Sequence, residues 1–131
     1  CYYQNIKNGK DIVLEDGRII ENDQLTFDPV PAKNYAFCSD TVYNEAILPI
    51  IENIDVLYHE STFLQSEENL AKKTLHSTAK EAATIALKAN AKQLILGHYS
   101  TRYESIELFK EEAETIFPEV LLADDGKSFE F

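Results

Sequence analysis

Methionine and tryptophan are absent from this 131-residue sequence, and cysteine, histidine, glycine and proline number only two, three, four and four. Two cysteines, Cys1 and Cys38, are too few to staple a small secreted domain, so a disulfide scaffold is excluded and a reducing cytoplasm is expected. Cys38 lies in the apolar run Tyr35-Ala36-Phe37-Cys38, where a free thiol acts as a small core hydrophobe. No apolar run approaches the roughly 18 to 20 residues that cross a bilayer, so no membrane partner is expected. A basic stretch leading into an apolar run is also lacking at the start, as a signal peptide would require. Because the chain opens on Cys1 and holds no methionine, the true N-terminus is expected to lie further upstream. Positive charge is scarce as well: 12 basic against 23 acidic residues leave a net charge of -11. That balance argues against non-specific nucleic-acid binding, which depends on neutralising phosphates.

What remains is enough for one core, since 44% of the residues are hydrophobic. Residues 1–32 read as a β-rich, irregular lead-in. Asp11–Leu14 and Arg18–Ile20 flank an Asp16-Gly17 hairpin signal, and Pro29 and Pro31 mark a connection. Over residues 33–131 the pattern alternates. Strands are expected at Tyr35–Ser39, Asp55–His59, Gln93–Gly97, Val120–Ala123 and, after the Asp125-Gly126 turn, Ser128–Phe131. Helical spacing covers Tyr43–Glu52, interrupted by Pro49, and Ser105–Phe117; Gln65–Leu75 reads as loop with some helix. Thr78-Ala79-Lys80-Glu81 resembles a capping box opening a helix whose apolar face is Ala82, Ala83, Ile85, Ala86 and Ala89. Strands alternating with helices predict an α/β fold on a largely parallel sheet.

Polar residues gather where the strands end. Asp40 follows the first of these strands, His59-Glu60 the second and His98 the third, while His76 precedes a helix start. In parallel α/β sheets the strand carboxyl ends line the ligand crevice, and carboxylate with imidazole suits a hard or borderline cation such as Zn²⁺. Each residue has an ordinary alternative. Asp40 could cap a following helix, His98 could be a hydrogen-bonded strand-end histidine, His59-Glu60 could be structural and His76 could sit in a capping loop. Asp124-Asp125 reads as a turn.

Taken in order, Ser39-Asp40-Thr41, His59-Glu60-Ser61-Thr62-Phe63, His76-Ser77-Thr78 and Gly97-His98-Tyr99-Ser100 with Arg102-Tyr103 resemble the successive C-terminal motifs of ribonuclease Z. Ile6-Lys7-Asn8-Gly9 through Glu15-Asp16-Gly17 resembles the segment ahead of them. Ser61 departs from the family pattern, which has Ala there. The resemblance implies the C-terminal half of an αββα metallo-β-lactamase sandwich. It implies a zinc-dependent endoribonuclease, with two Zn²⁺ per intact site, that removes 3′ trailers from precursor tRNA. Asp40 and His98 would be metal ligands, Asp40 bridging both ions. His76 would contact the scissile phosphate and protonate the leaving oxygen, supported by Glu60, and Arg102 would pair with phosphate. The intact enzyme would be a cytoplasmic homodimer.

The family's His-x-His-x-Asp-His motif does not occur in this sequence. Catalytic zinc normally takes three protein ligands, so the chain alone is expected to bind zinc weakly or not at all and to be inactive. Half a sandwich would bare an apolar sheet face, so self-association is expected. Two other readings remain: a non-catalytic α/β binding or regulatory module, and another hydrolase of the metallo-β-lactamase fold.

Overall fold

The computed structural model describes residues 2–131, and Cys1 lies outside the described residues. The chain divides into two units, Cys1–Ala32 and Lys33–Phe131. In the first, the two-residue strands β1 (Ile12–Val13) and β2 (Ile19–Ile20) pair antiparallel around the Asp16-Gly17 turn. Gly17 takes a left-handed φ of 83°, as that tight turn requires. The expected irregular start is instead a short helix, α1 (Tyr2–Lys7), which buries no residue. Its apolar residues, Tyr2, Tyr3 and Ile6, cover too short a stretch to establish a helical period.

The second unit is built on a four-stranded parallel sheet in the order β3 (Tyr35–Cys38), β4 (Val56–Glu60), β5 (Gln93–Gly97) and β6 (Val120–Leu122). Parallel neighbours require crossovers, supplied here by α2 (Leu48–Ile51), by α3 (Glu68–Thr74) with α4 (Ala79–Lys88), and by α5 (Glu107–Glu114). Helix α4 carries the capping box: the Thr78 hydroxyl accepts from the Glu81 amide, and the Glu81 carboxylate accepts from the Thr78 amide. Its Ala82, Ala83, Ile85 and Ala86 are fully buried, and the small alanines let the helix approach the sheet closely. Leu57, Leu94, Leu96, Val120 and Leu122 meet it from one sheet face, joined by Phe109 of α5. Cys38 packs against this core, and burial pushes its thiol pKa up.

One expected strand does not form, and one ordinary alternative fails. Ser128–Phe131 is not a strand; Phe131 instead stacks on Tyr35 with ring centroids 6.0 Å apart. Asp40 caps no helix. The next helical turn begins at Glu45 and is capped by Asn44, whose side chain accepts from the Ala46 amide. Among the described residues no helix is long and apolar enough to cross a membrane.

On the opposite sheet face Phe37, 64% exposed, stacks on Tyr58 at a centroid separation of 4.5 Å. The Tyr58 ring also lies across Gly97, where a Cβ would stand 2.2 Å from the hydroxyl oxygen and 2.7 Å from the ring. Only glycine permits that approach. Gly97→Ala should therefore destabilise the fold by about 1–3 kcal/mol, the usual cost of overpacking. Denaturant unfolding would measure it, and Tyr58→Ala in the same chain should recover part of the loss.

Candidate metal and phosphate site

All four strands point the same way, so their carboxyl ends share one edge, and the loops beyond β3, β4 and β5 meet there. Two of them turn sharply at the residues of interest. Asp40 has φ 49° and His98 φ 60°, left-handed values uncommon for residues with a side chain. Such strain persists only where surrounding contacts hold it, and it concentrates at functional sites. His76 follows another left-handed residue, Leu75 (φ 63°), which closes α3 by donating its amide to the Ala71 and Lys72 carbonyls.

Hydrogen bonds stitch these loops together. The Ser61 amide donates to the Gly97 carbonyl at 2.9 Å and the Ser61 hydroxyl to the same oxygen at 3.2 Å. The Ser100 amide donates to the Thr62 carbonyl at 3.0 Å. Phe63 bridges to the strand-like entry of α4, and the Ser77 hydroxyl donates to the Thr41 carbonyl at 2.6 Å. Ser61 is fully buried, and its hydroxyl has that partner, so serine is accommodated where the family pattern has alanine.

At the centre sits Glu60, fully buried. One carboxylate oxygen accepts from the Thr41 amide at 2.7 Å and His76 Nδ1 at 2.8 Å. The other accepts from the Thr62 hydroxyl at 2.6 Å, the Ser77 amide at 3.2 Å and the Thr62 amide at 3.3 Å. Burial alone pushes a carboxyl pKa up, but these donors, led by Thr62 and His76, outweigh it and hold Glu60 below the usual glutamate value. A depressed folded pKa stabilises the fold above the unfolded value, about 4.3, and that stability is lost as pH falls through the folded pKa. Glu60→Gln should therefore cost most near neutrality, and the gap from the parent chain should narrow below about pH 4. Equilibrium unfolding across an acid pH series would check this.

Asp40, His76 and His98 each offer one ligand atom, and these atoms lie within 4.8 Å of one another. His98 Nε2 is 3.4 Å from Asp40 Oδ1, and the two imidazole rings are 5.2 Å apart. Asp40 is the most open of the three, with 71% of its side chain exposed against 40% for His98 and 23% for His76. Both imidazoles use Nδ1 for a protein partner, Glu60 for His76 and Thr62 for His98, which leaves each Nε2 toward the open side. A carboxylate and imidazoles steadied this way fit a hard or borderline divalent cation. Arg102 lies at the margin. Its guanidinium sits over the Phe63 ring at 5.1 Å, its Nε donates to Ser100 Oγ at 3.2 Å, and Phe63 in turn faces His76 with centroids 6.2 Å apart.

The site thus unites Asp40, Glu60, His76 and His98, with Arg102 beside them. His59 is not part of it: it points to the helix side of β4, fully buried, its Nδ1 bonded to the Glu60 carbonyl and its Nε2 without a partner among the described residues. Burial pushes its pKa down, so it is a neutral core residue. Residue types alone gave no role to Thr62, Thr41, Ser77 or Phe63. The signal for Thr62 was its place two residues after Glu60, on a turn where a hydroxyl can reach back to the carboxylate.

No protein-family model matches the chain. Among curated proteins, it is 50% identical over 123 residues to ribonuclease Z of Parabacteroides distasonis, a match covering 94% of this chain and 40% of that protein. Over this matched length the chain is similar to ribonuclease Z. Ribonuclease Z of Anoxybacillus flavithermus is 45% identical over 129 residues, covering 97% of this chain and 41% of that protein. The chain therefore spans about two fifths of the length of these relatives. Among solved structures, the metallo-β-lactamase fold protein YhfI from Bacillus subtilis superposes with a TM-score of 0.66 at 29% identity, over 72% of this chain and 38% of that one. A long-form RNase Z from yeast gives 0.50 at 33% identity, over 57% of this chain and 10% of that one. The parallel sheet and its helices are thus part of a metallo-β-lactamase αββα fold.

Proposed function

We propose that this chain is the C-terminal half of a metallo-β-lactamase domain whose whole protein is a zinc-dependent endoribonuclease removing 3′ trailers from precursor tRNA. The gathering of Asp40, His76 and His98 at one sheet edge, in a chain 50% identical over 123 residues to part of a ribonuclease Z, carries this reading. Asp40 and His98 would hold the metal, with further ligands from the rest of the protein. Bound zinc ions would polarise the phosphodiester and supply hydroxide.

The remaining roles fall to this chain's side chains. Arg102 offers a planar guanidinium, held on the Phe63 ring, to a phosphate of the strand. His76 donates Nδ1–H to Glu60, which fixes the ring and leaves its Nε2 to carry a proton to the leaving oxygen. The net charge of -11 describes this stretch alone and is offset locally by Arg102. A second reading, favoured by the same 4.8 Å clustering, makes His76 a third ligand to one metal. By itself the chain lacks ligands for two zinc ions and is inactive; the whole protein acts in the cytoplasm as a homodimer.

The test restores the missing portion and assays a 3′-extended tRNA. Cleavage should disappear on Asp40→Ala. Cleavage unaffected by that change would remove Asp40 from the metal site. Binding of the tRNA without any cleavage would favour a non-catalytic module.

A further inference from the structure

The two imidazoles differ in how they reach Glu60. His76 touches the carboxylate directly, whereas His98 is linked to it through one hydroxyl. Thr62 Oγ1 lies 2.6 Å from Glu60 Oε2 and 2.8 Å from His98 Nδ1. A carboxylate that already takes four other donors can only accept, so the Thr62 proton must point to Glu60. The threonine oxygen then presents lone pairs to His98, and the imidazole must supply the hydrogen from Nδ1. Thr62 is buried, 7% exposed, and its hydroxyl already meets these two partners. The order of donors is fixed along the whole path, from His98 Nδ1–H to the Thr62 oxygen, and from the Thr62 hydroxyl to Glu60.

We propose that Thr62 is a positioning residue that locks His98 into the Nδ1–H tautomer, so that one buried carboxylate sets the tautomer of both site imidazoles. The consequence for chemistry rests on the metal reading above: only this tautomer leaves the Nε2 lone pair beside Asp40 free to ligate. Free histidine favours the opposite, Nε2–H tautomer, which would present a hydrogen to the metal position. Hydrogen bonds behind a ligand typically change metal affinity by about 10- to 100-fold.

The experiment uses nitrogen-15 imidazole spectra of the full chain without metal, in mildly alkaline solution. Both His76 and His98 should carry hydrogen on Nδ1. A parent chain with His98 hydrogenated on Nε2 would overturn the proposal without any variant. In Thr62→Val, close in shape but lacking the hydroxyl, His98 should move toward the Nε2–H form while His76, still bonded to Glu60, stays unchanged. Thr62→Ser should restore the parent pattern. A Thr62→Val chain with His98 unaltered would also overturn it. Zinc affinity by chelator competition in the restored full-length protein forms the second arm, with Thr62→Val expected to bind about 10- to 100-fold more weakly. A tautomer shift with unchanged zinc affinity would uphold the role of Thr62 and count against His98 as a ligand.

Discussion

Replacing Glu60 by glutamine is expected to be the most damaging single change in this chain. The carboxylate accepts from two side chains and three backbone amides with no solvent to replace it. Glutamine keeps one acceptor oxygen and turns the other into an NH₂ that faces donors. Whichever way the amide is turned, at least one backbone amide loses its partner: Thr41 on one side, or Thr62 and Ser77 on the other. Breaking a buried charged network by changing one member typically costs about 3–5 kcal/mol. Because Glu60 joins Thr41 after β3, Thr62 after β4 and Ser77 ahead of α4, the loss spreads over three loops. Thermal unfolding should show a clear drop in midpoint, and amide exchange should rise at Thr41, Thr62 and Ser77 before it rises in the sheet. A glutamine variant as stable as the parent would mean that the network is not a structural centre.

The second large effect concerns activity. In the restored full-length protein, His76→Ala should lower the rate of tRNA cleavage by about 10²- to 10⁴-fold, the range a positioned proton donor supplies. Its imidazole is only 23% exposed and makes a single polar contact, to Glu60, so removing it should disturb the fold less than changing Glu60 does. The loss should fall on kcat, with KM little changed. Single-turnover cleavage separates these. A His76→Ala enzyme that lost metal but kept its per-site rate would identify His76 as a ligand.

Much of this arrangement is legible in the residues because the physics is local. The Thr78–Glu81 capping box forms as expected, since both reciprocal bonds lie within four residues. Strands β4 and β5 are built on the short apolar runs Val56-Leu57-Tyr58 and Leu94-Ile95-Leu96, and Glu60 and His98 stand at their carboxyl ends as expected. Sequence reading fails where tertiary contacts decide. Residues 128–131 look like a strand, yet Phe131 places its ring on Tyr35 and no ladder forms. The ordinary alternative for Asp40, a helix cap, fails too, because the loop it starts runs on to Asn44 before any helical turn. The role of Thr62 depends on His98, 36 residues away, and no spacing rule reaches that far. Nor could composition have placed Tyr58 across Gly97, a contact between neighbouring strands that dictates glycine at that point.

The most direct measurement is anomalous diffraction at the zinc edge from crystals of the full-length protein grown with zinc. A peak bonded to an Asp40 carboxylate oxygen and to His98 Nε2, with His76 Nδ1 still on Glu60, is the expected result. Zinc held elsewhere, or no peak between Asp40 and His98, would contradict the assignment of this sheet edge as the metal site.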